Sequence, residues 1–248
     1  MNLQKNGTGE INSEDKLLKG DHNYSIKATA HLAGAVYFVF MIVSIYGEFF
    51  LPKYFVPGDA TATAHNINTA EFAYRFGILT AFLTHIIFIV LVVILYKLFR
   101  EVNRSYAMLM VLFVAIGVAV AFANLLNKFA PLVILSGADY LSVFNKAQLD
   151  ALAFGFLRLH SNAAIIPLVF WGLWLFPFGI LVIKSGFLPR ILGILLMLAG
   201  LGYFTNSIAS IILPEYGHMV TKIVMPLYFG EVPIIFWLLI KGAKQQKS

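Results

Sequence analysis

Residues 151–176 read ALAFGFLRLHSNAAIIPLVFWGLWLF, a stretch of hydrocarbon interrupted by Arg158, His160 and Asn162. At the middle of a bilayer a charged side chain costs about 2.5–3.5 kcal/mol on insertion scales. At its edge the same residues form an ordinary polar mouth. Lys184 marks the other flank of the segment. Arg158 precedes it by 26 residues, about 39 Å of unkinked helix at 1.5 Å per residue. The hydrocarbon core is about 30 Å thick, so Arg158 is expected at the outer interface. Ser161 and Asn162 share the face of Arg158, while His160 points about 200° away from it. The stretch reads as a membrane span with two facings at its outer end.

The rest of the chain has the same character. Of 248 residues, 60% are hydrophobic and 12% charged, against about 25% charged in soluble domains. Apolar runs long enough to cross a bilayer recur, and they predict six spans at 28–52, 70–98, 105–136, 146–183, 188–213 and 218–240. The fold class is all-α, a polytopic membrane protein. Residues 1–27 form a polar tail, 28–242 the six-helix domain and 243–248 a basic tail. The first apolar segment is too long for the core of a signal peptide and reads as a retained anchor. Asn68 with Glu71, and Asn145 with Gln148, have capping-box spacing at the second and fourth spans. Ser136-Gly137 stops the third span, and Pro189 and Pro214 bracket the fifth. Cysteine is absent.

Twelve of the 18 Lys and Arg residues fall on one side: Lys5, Lys16, Lys19 and Lys27, Lys97, Arg100 and Arg104, Lys184 and Arg190, and Lys241, Lys244 and Lys247. That side is expected to be cytoplasmic, with both termini inside and the protein in the cell membrane. The surplus positive charge suits anionic headgroups of the bilayer rather than nucleic acid, which is not expected as a partner.

Counting from the cytoplasmic flanks places Glu48, Arg75, Asn124 and Arg158 in one layer about 30–39 Å away. Three groups lie deeper: Asn206 at about 24 Å, His85 at about 18 Å and Glu231 at about 15 Å, near the midplane. Glu231 follows Gly230 between Pro226 and Pro233, where prolines free backbone carbonyls and distort the helix. An intramembrane carboxylate is a candidate functional group by default. On the fifth span Tyr203, Asn206, Ser207 and Ser210 form one polar stripe.

The preferred reading is an outward-facing polar vestibule that binds, transports or senses a small polar, anionic or lipid-like ligand. Its ligand-binding candidates are Glu48, Arg75, Asn124, Arg158, Asn162, Asn206 and Glu231. His85 and Glu231 mark a proton path from the midplane, past Asn206, to that vestibule. One alternative is an intramembrane enzyme using Glu231 or the outer-layer charges as acid and base. Another is a structural protein whose outer layer consists of interhelical pairs. Motifs for zincin, serine-hydrolase or nucleotide chemistry are lacking, so no catalytic residue, cofactor or metal ligand is assigned.

Leu32–Phe38 (LAGAVYF) and Leu198–Phe204 (LAGLGYF) agree at five of seven positions, on spans that run the same way. These two motifs also belong to a longer ordered set. It includes Tyr46-Gly47-Glu48-Phe49-Phe50, Val56-Pro57-Gly58-Asp59-Ala60, Tyr74-Arg75-Phe76-Gly77 and Leu135-Ser136-Gly137-Ala138-Asp139-Tyr140-Leu141. Gln148-Leu149, His160, Ser185-Gly186-Phe187-Leu188-Pro189-Arg190, Gly230-Glu231 and Trp237-Leu238-Leu239-Ile240-Lys241-Gly242 complete it. In order and spacing, across residues 28–242, the set resembles the bacterial integral membrane family known as domain of unknown function 4386. The resemblance implies a multi-pass membrane protein of about this length and carries no catalytic residue with it.

Overall fold

The computed structural model describes the backbone of residues 8–49 and 54–244 and the side chains of 26–47, 54–217 and 219–244. Helix α1 (Thr8–Phe49) begins within the polar N-terminal segment and enters the first span at Ile26. After the turn at Pro57-Gly58, with Gly58 at φ 79°, Asp59 accepts a hydrogen bond from the Ala62 amide at 2.8 Å and starts α2 (Ala60–Thr69). The chain bends at Ala70 and continues as α3 (Glu71–Phe99). The expected Asn68–Glu71 capping box is therefore corrected. Asp59 caps a helix ten residues earlier, Asn68 falls in its last turn, and α3 opens at Ala70 without a side-chain cap.

Asn103 caps α4 (Arg104–Ile134) through the Tyr106 amide. Gly137, at φ 73°, lies in the turn that follows. Asn145 and Gln148 form the expected capping box at the head of α5 (Lys146–Ala163). Two prolines then divide the fourth span. A proline offers no N–H to the carbonyl four residues back, and its ring crowds that carbonyl. For Pro167 and Pro177 the carbonyls in question belong to Ala163 and Leu173, where α5 and α6 (Ile165–Leu173) end, ahead of α7 (Leu175–Ser185). Helix α8 (Arg190–Ile212) is the fifth span. In the sixth, Pro233 acts on Phe229. There α9 (Gly217–Tyr228) passes into a 3-10 turn, Phe229–Glu231, before α10 (Val232–Ile240).

Among the described residues six helical segments are long and apolar enough to cross a membrane: 26–47, 71–99, 104–134, 146–185, 190–212 and 219–241. The protein is an all-α, multi-pass membrane protein. Ile26, Lys97, Arg100, Lys184 and Phe187 gather at one end of the bundle, the tail side, where the Lys244 amide also bonds the Phe187 carbonyl. At the far side α2 lies over a small apolar cluster of Ile67, Tyr74, Leu132 and Leu157.

In lipid, helix association depends on close packing rather than on hydrophobic burial, which favours small residues at crossings. Gly172 of α6 meets Gly200 of α8, and Gly179 of α7 meets Gly193 of α8. A side chain at any of these four would strike backbone atoms of the facing helix. Gly34 of α1 lies in the same way against Leu238 and Leu239 of α10, and Gly230 against the Leu195 carbonyl of α8. Span six is thus clamped between spans one and five.

Candidate functional site

The two matching motifs converge on one side chain. The Tyr37 hydroxyl, at the sixth position of LAGAVYF, donates to Oε2 of Glu231 at 2.6 Å. Tyr203, at the sixth position of LAGLGYF, lines the same cavity as that carboxyl group. The environments match along both motifs. Leu32 and Leu198 are 53% and 42% exposed, Ala33 and Ala199 fully buried, and Gly34 and Gly200 pressed on neighbouring backbone. Tyr37 was overlooked as a site residue although the internal repeat was visible in sequence. The repeat was the signal.

Glu231 is partly buried and lines a cavity of about 190 Å³ together with Phe40, Ser44, Thr84, His85, Phe88, Trp171, Trp174 and Tyr203. Spans one to six, the third excepted, contribute to its wall. The 3-10 turn forced by Pro233 puts Glu231 there, and Gly230 lets that turn seat against α8. Tyr203 stacks on Tyr228 with ring centroids 4.1 Å apart, which holds the fifth and sixth spans together beside the carboxyl.

His85 Nδ1 lies 2.6 Å from the Ala81 carbonyl. A carbonyl only accepts, so Nδ1 carries the hydrogen and Nε2 is left as the nitrogen that can take up a proton. His85, Ser44, Thr84 and Trp171 also line a second cavity of about 310 Å³, which extends to Gly47, Gly77, Asn124, Lys128 and His160. The two cavities abut at these four shared residues. These four residues therefore stand between the polar groups at the far end of the bundle and Glu231.

At the end remote from the tails Asn124 and His160 form a reciprocal clasp between α4 and α5. Asn124 Nδ2 donates to the His160 carbonyl at 2.9 Å, and His160 Nδ1 donates to the Asn124 carbonyl at 3.1 Å. Asn127 donates to Asn124 Oδ1 at 3.0 Å. Removing the amide with Asn124→Ala is expected to destabilise the protein by about 1 kcal/mol, a typical net hydrogen-bond contribution, measured by reversible unfolding in mixed micelles.

The other candidates divide. Arg75 lies on the exposed surface of α3, its Nε 2.7 Å from Glu71 Oε1, with both side chains about half exposed (51% and 52%). Arg158, Ser161 and Asn162 are exposed on the outer face of α5, whereas His160 turns inward, as the 200° separation requires. Asn206 is buried and accepts a hydrogen bond from Thr221 of α9 at 2.7 Å, so the polar stripe of α8 beyond Tyr203 faces span six rather than either cavity. The side chain of Glu48 lies outside the described residues. Of the expected set, Glu231, His85 and Asn124 border these two cavities; Arg75, Arg158, Asn162 and Asn206 do not line them.

A third cavity, about 480 Å³, opens on the tail side between Lys97, Arg100 and Lys184. Arg100 is paired with Glu101 at 3.2 Å, and Lys184 sits over the Tyr106 ring.

No solved structure matches the chain. A protein of Archaeoglobus fulgidus described as an uncharacterized protein is 31% identical over 174 residues, covering 68% of this chain and 85% of the relative. The family model described as "Domain of unknown function (DUF4386)" matches residues 32–242, a stretch that includes both LAG motifs, both tyrosines and Glu231. The chain therefore belongs to the DUF4386 family.

Proposed function

We propose that the protein binds a small molecule inside the membrane and passes it between the cavity at Glu231 and the far side, as a transporter or a sensor of the cell membrane. The observation that carries this reading is the junction of the two cavities at Ser44, Thr84, His85 and Trp171. Polar groups in a membrane span face bundle interiors or water-filled paths and mark routes for ions and substrates. Glu231 is the binding charge, held by the Tyr37 hydroxyl and flanked in the cavity wall by Tyr203. Nε2 of His85 is the relay for a proton that accompanies the ligand, and Asn124, Lys128 and His160 form the mouth. The concentration of Lys and Arg on the tail side supports a cytoplasmic location for both termini, with the mouth facing outward. The tail-side cavity suits anionic headgroups.

The natural absence of cysteine makes the test clean. Ser44→Cys and Thr84→Cys should react with a charged, membrane-impermeant thiol reagent added to intact cells, and Gly47→Cys faster still. The lipid-facing control Val93→Cys should not react. Equal inertness of Ser44→Cys, Thr84→Cys and Val93→Cys in folded protein would show a dry, closed packing defect and would end this reading.

A further inference from the structure

The inner cavity has a chemical composition that selects its occupant. Five of its nine lining residues are aromatic: Phe40, Phe88, Trp171, Trp174 and Tyr203. None of the nine is lysine or arginine, and the acidic one is Glu231. The arginines that would suit an anion stand elsewhere, Arg75 against Glu71 and Arg158 on the exposed outer face. An anion entering this cavity would meet a carboxyl group and the negative faces of aromatic rings. A cation would find both favourable.

Phe88 and Trp174 each give one face to a stacked neighbour, Phe40 and Phe178, and the rings around the cavity meet one another at steep angles. Phe88 meets Trp171 and Trp174 edge-on, both at 5.1 Å between centroids, with interplanar angles of 65° and 78°. Phe40 stacks on Phe88 at 4.8 Å. Walls at steep angles suit a rounded group that touches several rings at once. Ring faces attract an ammonium within about 6 Å of the centroid, Trp most strongly, and a desolvated contact contributes more than an exposed one. A volume of 190 Å³ is below the roughly 300–1,000 Å³ of pockets that hold drug-sized ligands. At about 30 Å³ per water it corresponds to about six waters, the scale of a compact head group. A calcium ion would leave the aromatic walls without a partner, and the five side-chain oxygens of Ser44, Thr84, Tyr203 and Glu231 fall short of the about six to eight ligands it takes.

We infer that the inner cavity binds an organic ammonium head group, with Glu231 as counter-charge and Trp171, Trp174 and Phe88 as its aromatic cage. The inference rests on reading the connected cavities as a ligand path and names the ligand class for that path. A free alkylammonium ion arriving through the outer cavity and the choline head of a lipid share this chemistry.

The test uses the full chain in lipid nanodiscs made of phosphatidylglycerol alone. Tetramethylammonium chloride is titrated while intrinsic tryptophan fluorescence is followed; two of the three tryptophans line the cavity. Sodium chloride at equal ionic strength and sodium acetate serve as controls. Tetramethylammonium should give a saturable change that neither control produces. Glu231→Gln should weaken it at least tenfold, Trp171→Leu should do the same if the first variant folds poorly, and Arg158→Gln should leave it unchanged. A second arm adds phosphatidylcholine to the nanodiscs. A fluorescence change that appears there, and that tetramethylammonium reverses, supports the same site with a lipid source. The inference is overturned if neither arm responds, if acetate binds instead, or if the response persists in both Glu231→Gln and Trp171→Leu. Thiol labelling of Ser44→Cys in the same preparation separates the two failures: reaction there with no ammonium response leaves the hydrated path standing and removes only the ligand class.

Discussion

Glu231→Leu is expected to destabilise the bundle by about 1–3 kcal/mol, even though it removes a carboxyl group from the membrane interior. The Tyr37 hydroxyl loses its acceptor, and an orphaned buried donor costs about 1–3 kcal/mol. Tyr37 is only 1% exposed, so water in the cavity cannot readily replace the lost partner. Removing both sides of such an interaction is close to neutral when shape is kept. The triple variant Glu231→Leu, Tyr37→Phe, Tyr203→Phe should therefore recover most of the loss. Within the cycle the coupling of Tyr37 to Glu231 should be about 1 kcal/mol, inside the range of side-chain hydrogen bonds measured in membranes. Equilibrium unfolding in mixed micelles gives each value. A triple variant no more stable than Glu231→Leu alone would mean that the tyrosines are not what the carboxyl group supports. The same triple variant should lose ligand response completely, because stability and function are separable at this site.

This cluster also shows what could be read in the sequence and what could not. The spans were legible because a bilayer imposes length and hydropathy on every crossing. The observed segments lie within a few residues of the expected ones, apart from the polar connection between the first two spans, which folds into α2. That helix is ten residues of mostly small and polar side chains, too short and too little apolar to announce itself, and its cap, Asp59, follows a Pro-Gly turn that reads equally well as plain loop. Depth along a helix was also legible. Asn124 and Arg158 are expected in one layer, and Asn124 meets His160, two residues on from Arg158. Partners were not legible, since depth does not say which side of a helix a neighbour occupies. Arg75 shares the expected outer layer but turns to Glu71 one turn away, an i,i+4 pairing open to any exposed helix. Tyr37 was missed because a tyrosine in an apolar motif reads as packing. Only its repetition at Tyr203, on a parallel span flanking the same carboxyl group, gives it a role.

The position of Glu231 depends on a proline, and this makes Pro233→Ala the more revealing substitution. Pro233 withholds the N–H that the Phe229 carbonyl would accept, and residues Phe229–Glu231 form a 3-10 turn instead of α-helix. A 3-10 helix advances 120° per residue and an α-helix 100°. Converting three residues from one to the other rotates Glu231 by about 60° relative to α9. Restoring the hydrogen bond with alanine favours that conversion. The carboxyl group then leaves the Tyr37 hydroxyl and turns away from Phe88 and Trp171. Pro233→Ala is therefore expected to lower ligand response at least tenfold while the sixth span itself gains helix stability. The displacement can be read directly. A thiol introduced by Glu231→Cys should react with a polar reagent through the cavity in the Pro233 background and at least tenfold more slowly once Pro233→Ala is added, with Ser44→Cys reacting equally in both. If both thiols keep their rates, the clamp of Gly230 against Leu195, rather than the missing hydrogen bond, sets the direction of Glu231, and substitution of Gly230 becomes the change that empties the site.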